Sequence, residues 1–155
     1  MSAGRLLVDT NLLLLLFVGT VSRSYIAAHR RARVHTIDDF VLLKLRIGDA
    51  AIFVATPNVL VETAYLIRQF DQARLAPVLE AFRSYAEAAT ETYAPSADAV
   101  GSVDFDRLPL NDVSIPNVRE PDVTLITDDL HLYRTSAMSG RKVLNFSHER
   151  ERILG

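Results

Sequence analysis

The stretch that decides the fold lies near the N-terminus and reads Arg5-Leu6-Leu7-Val8-Asp9-Thr10-Asn11. Its apolar start and its Asp-Thr-Asn end predict a buried strand over residues 5–8. Thr10 or Asn11 can cap the helix that follows, whose apolar body is Leu12 to Val18. A second apolar run, Val123 to Thr127, ends in Asp128 and Asp129. Strands that alternate with helices favour an α/β fold with a parallel sheet.

The rest of the chain supplies further elements of the same kind. We predict strands over 51–55, 92–94 and 142–146, and helices over 38–47, 58–70, 75–89 and 129–139. Asp38, Thr56 and Ser147 are the expected caps of three helices, with Pro77 as an alternative start for the helix over 75–89. A short helix after Ser96, a loop over 101–109 and a helical stretch over 110–115 complete the pattern. The expected architecture is a three-layer α/β/α sandwich with a central, mainly parallel sheet, in one domain over residues 1–155.

Composition excludes several classes of protein. The 155 residues are 49% hydrophobic and 23% charged, with a net charge of -2, which suits a single packed core. There is no cysteine, so disulfides, thiolate metal sites and cysteine nucleophiles are excluded. A membrane span needs about 20 apolar residues, and the run at Leu12 to Val18 is too short. We therefore expect a cytoplasmic protein.

Acidic residues in apolar surroundings are the strongest functional signal. Asp9 and the pair Asp128 and Asp129 each follow a predicted strand, Glu62 lies in an apolar helix, and Asp112 lies in the stretch Leu110-Asn111-Asp112-Val113-Ser114-Ile115. Carboxylates gathered at one sheet edge repel one another unless a cation lies between them, and Mg²⁺ and Mn²⁺ prefer oxygen ligands. Taken alone, a strand-end aspartate is better explained as a helix cap. The ordered set predicts a metal-dependent enzyme that acts on phosphodiesters.

This ordered set resembles the PIN-domain nucleases. The motifs that carry the resemblance are Leu7-Val8-Asp9-Thr10-Asn11, Thr56-Pro57-Asn58-Val59-Leu60-Val61-Glu62, Leu110-Asn111-Asp112-Val113-Ser114-Ile115, Leu125-Ile126-Thr127-Asp128-Asp129 and Val143-Leu144-Asn145-Phe146. They cover most of the chain, whereas residues 19–50 have no obvious counterpart and look enlarged. Pro116 and Pro121 shorten the helix after Asp112, which the family usually extends.

The resemblance implies a ribonuclease that uses Mg²⁺ or Mn²⁺, on one or two sites. It assigns catalysis and metal binding to Asp9, Glu62, Asp112 and Asp129, keeps Asp128 as an alternative fourth acid, and gives supporting polar roles to Asn11 and Thr127. The small size suggests a VapC-like toxin of a toxin–antitoxin pair, with RNA as substrate, a cognate antitoxin as partner, and a homodimer formed through the helices at 58–70 and 75–89. The alternatives are a stand-alone RNA-processing nuclease and a catalytically inactive PIN-like binding module.

Two other enzyme classes fit the sequence less well. A phosphatase of the haloacid dehalogenase type needs a second aspartate two residues after the first, and Asn11 occupies that place. A receiver domain needs an acidic pair near its first strand and a phosphoacceptor aspartate on a middle strand, and neither is evident.

A basic cluster stands out in the enlarged segment: His29, Arg30, Arg31, Arg33 and His35. Arg30, Arg31 and Arg33 are candidates for contacts with RNA phosphates or with an acidic partner. A solvated helical face explains the cluster equally well. None of the four histidines lies in a recognisable site motif, and His131 is expected on a helix surface.

Overall fold

A computed structural model describes residues 4–49, 51–92 and 122–155. Five parallel strands form one sheet in the order β3-β2-β1-β4-β5. The strands are β1 (Arg5–Val8), β2 (Ile52–Ala55), β3 (Thr90–Glu91), β4 (Val123–Thr127) and β5 (Val143–Asn145). In the described part of the chain the helices are α1 (Thr10–Val21), α2 (Tyr25–Ala28), α3 (Ile37–Ile47), α4 (Pro57–Ile67), α5 (Gln72–Ala88), α6 (Leu130–Met138) and α7 (Phe146–Leu154), with a 3₁₀ turn at Ala32–Val34.

The expected three-layer α/β/α sandwich around a parallel sheet is confirmed. The order of the strands also creates a topological switch point, which is the place where the direction of strand addition reverses. From β1 the chain builds the sheet first toward β2 and β3, and then on the other side toward β4 and β5. Open α/β sheets bind ligands outside the carboxyl ends of the strands at such a point. Here that point lies between β1 and β4.

Helix α1 is the centre of the core. Its residues from Leu12 to Gly19 are all buried, and it packs against α2, α3, α4 and α5. A helix that is apolar all round is one that is enclosed on all sides, which explains the leucine run. Across residues 4–49, 51–92 and 122–155, no helix combines the length and the apolar character that crossing a membrane requires.

Several helix starts differ from the sequence prediction, and the caps explain why. Asp9 itself caps α1, so the helix begins at Thr10 and neither Thr10 nor Asn11 is the cap. Thr36, not Asp38, caps α3, because its hydroxyl accepts from the Asp39 backbone while the Asp39 side chain accepts from the Thr36 backbone. This reciprocal capping box satisfies two backbone donors at once.

The later helices show the same kind of shift. Asp71 caps α5 and starts it at Gln72, so Pro77 lies inside the helix and does not begin it. Asn145, not Ser147, caps α7. Helix α4 begins at Pro57 after its predicted cap Thr56, but it ends at Ile67, before Phe70.

The strand at one edge of the sheet is also displaced from its predicted position. The described edge strand is β3 at Thr90–Glu91, just before the expected strand at 92–94, of which residues 93 and 94 lie outside the described residues; 51–55 and 142–146 each contain the observed strand. Gly48 and Gly140 end α3 and α6 with positive φ angles of 73° and 80°, which only glycine adopts readily. The elements expected over 96–115 lie outside the described residues.

Candidate functional site

Asp9 lies at the carboxyl end of β1, at the switch point of the sheet. The strand ends there because Asp9 is the N-cap of α1. Its Oδ1 accepts a hydrogen bond from the backbone N–H of Thr10 at 2.6 Å. Its backbone N–H still donates to the carbonyl of Ile126 on β4 at 3.0 Å. The side chain is only 6% exposed. A carboxylate this deeply buried requires good partners.

Thr127 provides one of those partners from the neighbouring strand. Val8 on β1 is in register with Ile126 on β4, so Thr127 lies beside Asp9 at the same edge. Its hydroxyl donates to Oδ2 of Asp9 at 2.6 Å and accepts from the backbone N–H of Asp129 at 3.0 Å. Thr127 is fully buried. A single hydroxyl thus joins the two aspartates that the sequence places after strands, and we call Asp9, Thr127 and Asp129 the threonine relay.

Asp129 is positioned twice, by the relay and by its own helix. Its Oδ1 accepts from the Leu132 backbone at 3.0 Å and caps α6, while its side chain remains half-buried. Both strand-end aspartates are therefore helix caps, as a simple structural interpretation expects. Capping uses one lone pair of a carboxylate that has about four, so the group keeps the capacity to bind a cation.

Asp128 points to a different partner. Its Oδ2 lies 3.4 Å from Nε2 of His35, which comes from the segment before α3. The contact lacks hydrogen-bond geometry, so it is an ion pair only when His35 is protonated. Burial raises the pKa of Asp128, with His35 opposing that rise and Asp129 adding to it. Burial also lowers the pKa of His35, against the pull of Asp128 and Asp39. For both groups burial outweighs the mutual attraction and favours the neutral form.

The other predicted site residues are placed less completely. Glu62 is exposed on α4, which starts beside the carboxyl end of β2, and Asn11 is exposed on the first turn of α1. Asp112 lies outside the described residues. Within the parts of the chain that the structure describes, no three acidic or histidine side chains lie close enough together to hold a metal ion. The predicted four-carboxylate pocket therefore remains a prediction.

The donors that are present do suit a hard cation. Asp9 and Asp129 offer carboxylate oxygens at one buried edge, and Mg²⁺ is commonly held by one or two carboxylates, several waters and substrate phosphates. Nitrogen and sulfur ligands play no part in this donor set. A donor set of carboxylate oxygens is typical of Mg²⁺ or Mn²⁺ sites and less typical of zinc sites.

The basic cluster is corrected by the structure. His29 is fully buried and His35 is half-buried, so neither belongs to an exposed basic face. Arg30, Arg31 and Arg33 are exposed, on a turn and a 3₁₀ turn instead of a regular helix. His131 is exposed on α6, as expected. Sequence reasoning missed the contact of His35 with Asp128, because 93 residues separate the two and no local pattern links them.

In comparisons with known proteins, no model of a protein family and no curated protein matches the chain, so the interpretation of the site rests on its geometry.

Proposed function

We propose that this protein is a metal-dependent ribonuclease that hydrolyses RNA phosphodiester bonds with Mg²⁺ or Mn²⁺. The observation that supports the proposal most is the threonine relay at the switch point of a parallel sheet. A helix cap alone needs no hydroxyl that bridges two strands. The relay instead ties the Asp9 carboxylate to the backbone N–H of Asp129 through one hydroxyl, and a hydrogen-bonded, oriented carboxylate is what a metal ligand needs.

The chain's own residues have distinct tasks in this proposal. Asp9 and Asp129 would hold the cation, and Thr127 orients Asp9 by its short hydrogen bond. Glu62 and Asp112 complete the acidic set, with Asp128 as the alternative to Asp129. Asn11, exposed on the first turn of α1, is the supporting polar residue and would contact the substrate. When bound, the cation supplies a hydroxide near neutral pH and stabilises charge on the phosphoryl group.

The test combines metal binding with cleavage. Asp9→Asn keeps the shape of the side chain and removes its charge, so Mn²⁺ binding by calorimetry and cleavage of total cellular RNA should both be lost. Asp71→Asn is the matched control, because Asp71 also caps a helix but starts α5 far along the chain from the sheet edge. EDTA should abolish cleavage by the parent protein. Absence of Mn²⁺ and Mg²⁺ binding, together with cleavage that survives Asp9→Asn, would refute the proposal and favour a binding module.

For partners we propose a homodimer and, if the protein is a toxin, a cognate antitoxin. Val61 and Tyr65 on α4 are 71% and 68% exposed, one helical turn apart. An open groove of about 390 Å³ lies between α4 and α5. Its lining is partly apolar and partly charged: Ala64, Leu79, Phe82 and Ala86 with Arg68, Arg83 and Glu87. Exposed apolar surface of this kind is typical of protein interfaces. The expected compartment is the cytoplasm.

The dimer is tested by light scattering. Val61→Lys with Tyr65→Lys should convert a dimer to a monomer, while Leu45→Lys, at an exposed apolar site on α3, should not. A monomer mass for the parent across micromolar concentrations would contradict the proposal. A small reading frame beside the gene whose product co-purifies with the protein would support the antitoxin.

A further inference from the structure

The segment from His29 to His35 is held at both ends by histidines that point inward. His29 donates from Nε2 to the carbonyl of Leu66 at 2.8 Å. Its Nδ1 accepts from the backbone N–H groups of Arg31 at 3.0 Å and Ala32 at 3.2 Å. Because Nδ1 accepts two N–H groups, the ring is neutral and carries its proton on Nε2. The ring also packs edge-on against Phe70, with 4.6 Å between centroids.

The second anchor fixes the other end of the segment. The backbone N–H of Arg33 donates to the carbonyl of His29. The backbone N–H of His35 donates to the carbonyl of Ala32, and this bond closes the 3₁₀ turn. Ala32 is buried beneath it. The side chain of His35 then reaches Asp128 at the edge of the sheet. The backbone between the two histidines is thus hydrogen-bonded to α4 at one end, and at the other end it is closed by the 3₁₀ turn and lies beside Asp128 of the candidate site.

Three arginines project from this fixed backbone. Arg30, Arg31 and Arg33 are all exposed, and none forms an ion pair with a residue that the structure describes. Other arginines of the described ranges do have carboxylate partners: Arg46 with Glu149, Arg74 with Asp71, Arg83 with Glu80, Arg150 with Asp39 and Arg152 with Glu149. Three exposed arginines without an ion pair in the described ranges thus lie within residues 30–33, and we call them the cationic patch, on a chain whose net charge is -2.

The patch lies close to the acidic edge. Five peptide units separate Arg30 from His35, and a chain spans at most about 3.3–3.6 Å per residue. All three arginines are therefore within about 18 Å, measured along the backbone, of the residue that touches Asp128. An RNA strand whose phosphodiester lies at Asp9 and Asp129 would bring phosphates a few nucleotides away to this patch. Arginine forms forked hydrogen bonds that match phosphate oxygens.

We infer that Arg30, Arg31 and Arg33 form a backbone-tracking surface for single-stranded RNA, which guides the strand into the acidic edge. The inference rests on the proposed nuclease function and specifies its substrate as a single strand read through its phosphates. The fixed backbone reduces the entropy lost when the arginines bind. With a cation held at Asp9 and Asp129, as the proposed function has it, this edge accepts a phosphodiester, so the position of the arginines beside it favours RNA over an acidic protein.

The experiment measures binding without cleavage. Asp9→Asn protein is titrated into a fluorescently labelled oligouridine, and anisotropy is recorded over a series of salt concentrations. R30Q/R31Q/R33Q in this background should weaken binding about tenfold or more. It should also lower the slope of log K against log salt by about 2, because each phosphate that a protein neutralises on a single strand adds about 0.7 to that slope. R30K/R31K/R33K should keep the slope, because it keeps the charge.

The matched control removes the same charge elsewhere. Lys44 on α3, Arg134 on α6 and Lys142 before β5 are all exposed. K44Q/R134Q/K142Q should change affinity less than about twofold and leave the slope unchanged, if direct contact and not overall charge determines binding. Equal weakening by both glutamine triples would overturn the inference.

The remaining outcomes separate this inference from the proposed function. If the parent cleaves RNA with Mn²⁺ and R30Q/R31Q/R33Q binds the oligonucleotide normally, only the inference fails. If the protein binds neither RNA nor Mn²⁺, the proposed function fails with it. If polyglutamate binds through the three arginines and RNA does not, the patch is a site for an acidic protein and the inference is wrong.

Discussion

Replacing Thr127 with valine tests the threonine relay directly. Valine has nearly the same shape, so the change removes the hydroxyl and leaves the packing of this fully buried position in place. The hydrogen bond from Thr127 to Asp9 disappears, and with it the acceptor for the Asp129 N–H. Asp9 then lacks this hydrogen-bond donor in a site that is 6% exposed.

The expected cost follows from the removal of these two hydrogen bonds. A hydrogen bond to a charged group contributes about 1.5–3 kcal/mol, and the neutral bond to Asp129 about 0.5–1.5 kcal/mol. Water can replace part of the second bond, because Asp129 is half-buried. The extra buried methyl group returns about 0.8 kcal/mol. The free energy of unfolding should therefore fall by about 1–3 kcal/mol, a sum of these contributions.

Thr63→Val is the matched control for this measurement. Thr63 is also fully buried, but its hydroxyl donates to the helix carbonyl of Val59 at 2.7 Å and reaches no charge. The stability lost with this hydrogen bond should nearly equal the stability gained by burying the added methyl group. The free energy of unfolding should therefore change by no more than about 0.5 kcal/mol. Both variants are unfolded with urea in EDTA. The slope of the unfolding free energy against urea concentration should match that of the parent protein.

A double-mutant cycle decides whether the effect passes through Asp9. If it does, Thr127→Val should cost at least about 1 kcal/mol less when Asp9→Asn is already present. Additive effects of the two substitutions would refute the reasoning. So would equal costs for Thr127→Val and Thr63→Val, because burial alone would then explain the destabilisation.

Three further changes have defined outcomes. Burial lowers the pKa of His29, so the unfolded chain takes up a proton that the folded protein excludes. The contribution of the neutral His29 to the free energy of unfolding is complete above about pH 6.5. It is lost as pH falls toward the folded pKa, by up to about 1.4 kcal/mol per pH unit. His29→Gln should flatten this dependence in urea unfolding between pH 7 and 5, and an unchanged slope would contradict the role given to His29. Gly19→Ala should lower the free energy of unfolding by about 1–2 kcal/mol, because its Cβ would lie 2.4 Å from the Phe40 ring. Phe40→Leu in the same protein should recover part of that stability. A Gly19→Ala protein that is more stable than the parent would show that the close approach is easily relieved. Asp129→Asn should weaken Mn²⁺ binding more than Asp128→Asn, since Asp129 belongs to the relay and Asp128 faces His35; the reverse order in calorimetry would exchange their roles.

Local sequence signals are enough to predict the centre of the fold. The runs at 5–8 and 123–127 are apolar strands that end in aspartate, and both junctions form as expected. The leucine run of α1 predicts a buried helix, because it is too short for a membrane and a capping group lies directly before it, and the structure confirms that helix. These features depend on neighbours in the chain, which the sequence shows.

Features that depend on distant contacts cannot be predicted in the same way. Edge strand β3 has only two residues and exists through its pairing with Val54 and Ala55 of β2. Pro77 is a plausible helix start by residue type, but Asp71 caps α5 earlier and its bridge to Arg74 supports that first turn. His29 has arginine neighbours that favour a basic face. Its ring turns inward because the carbonyl of Leu66, 37 residues away, is its partner.

The capping role and the proposed metal role of the two aspartates are compatible, and Thr127 is where they can be told apart. A cap requires only the N–H groups of its own helix, and both Asp9 and Asp129 have those. If capping were their whole task, Thr127→Val would reduce stability and change nothing else. If the relay aims Asp9 at a cation, Thr127→Val should also weaken Mn²⁺ binding about tenfold or more, as removal of an orienting partner does at metal sites. Thr127→Ser keeps the hydroxyl and should bind Mn²⁺ like the parent, so equal affinity of the valine and serine variants would leave the aspartates as caps alone.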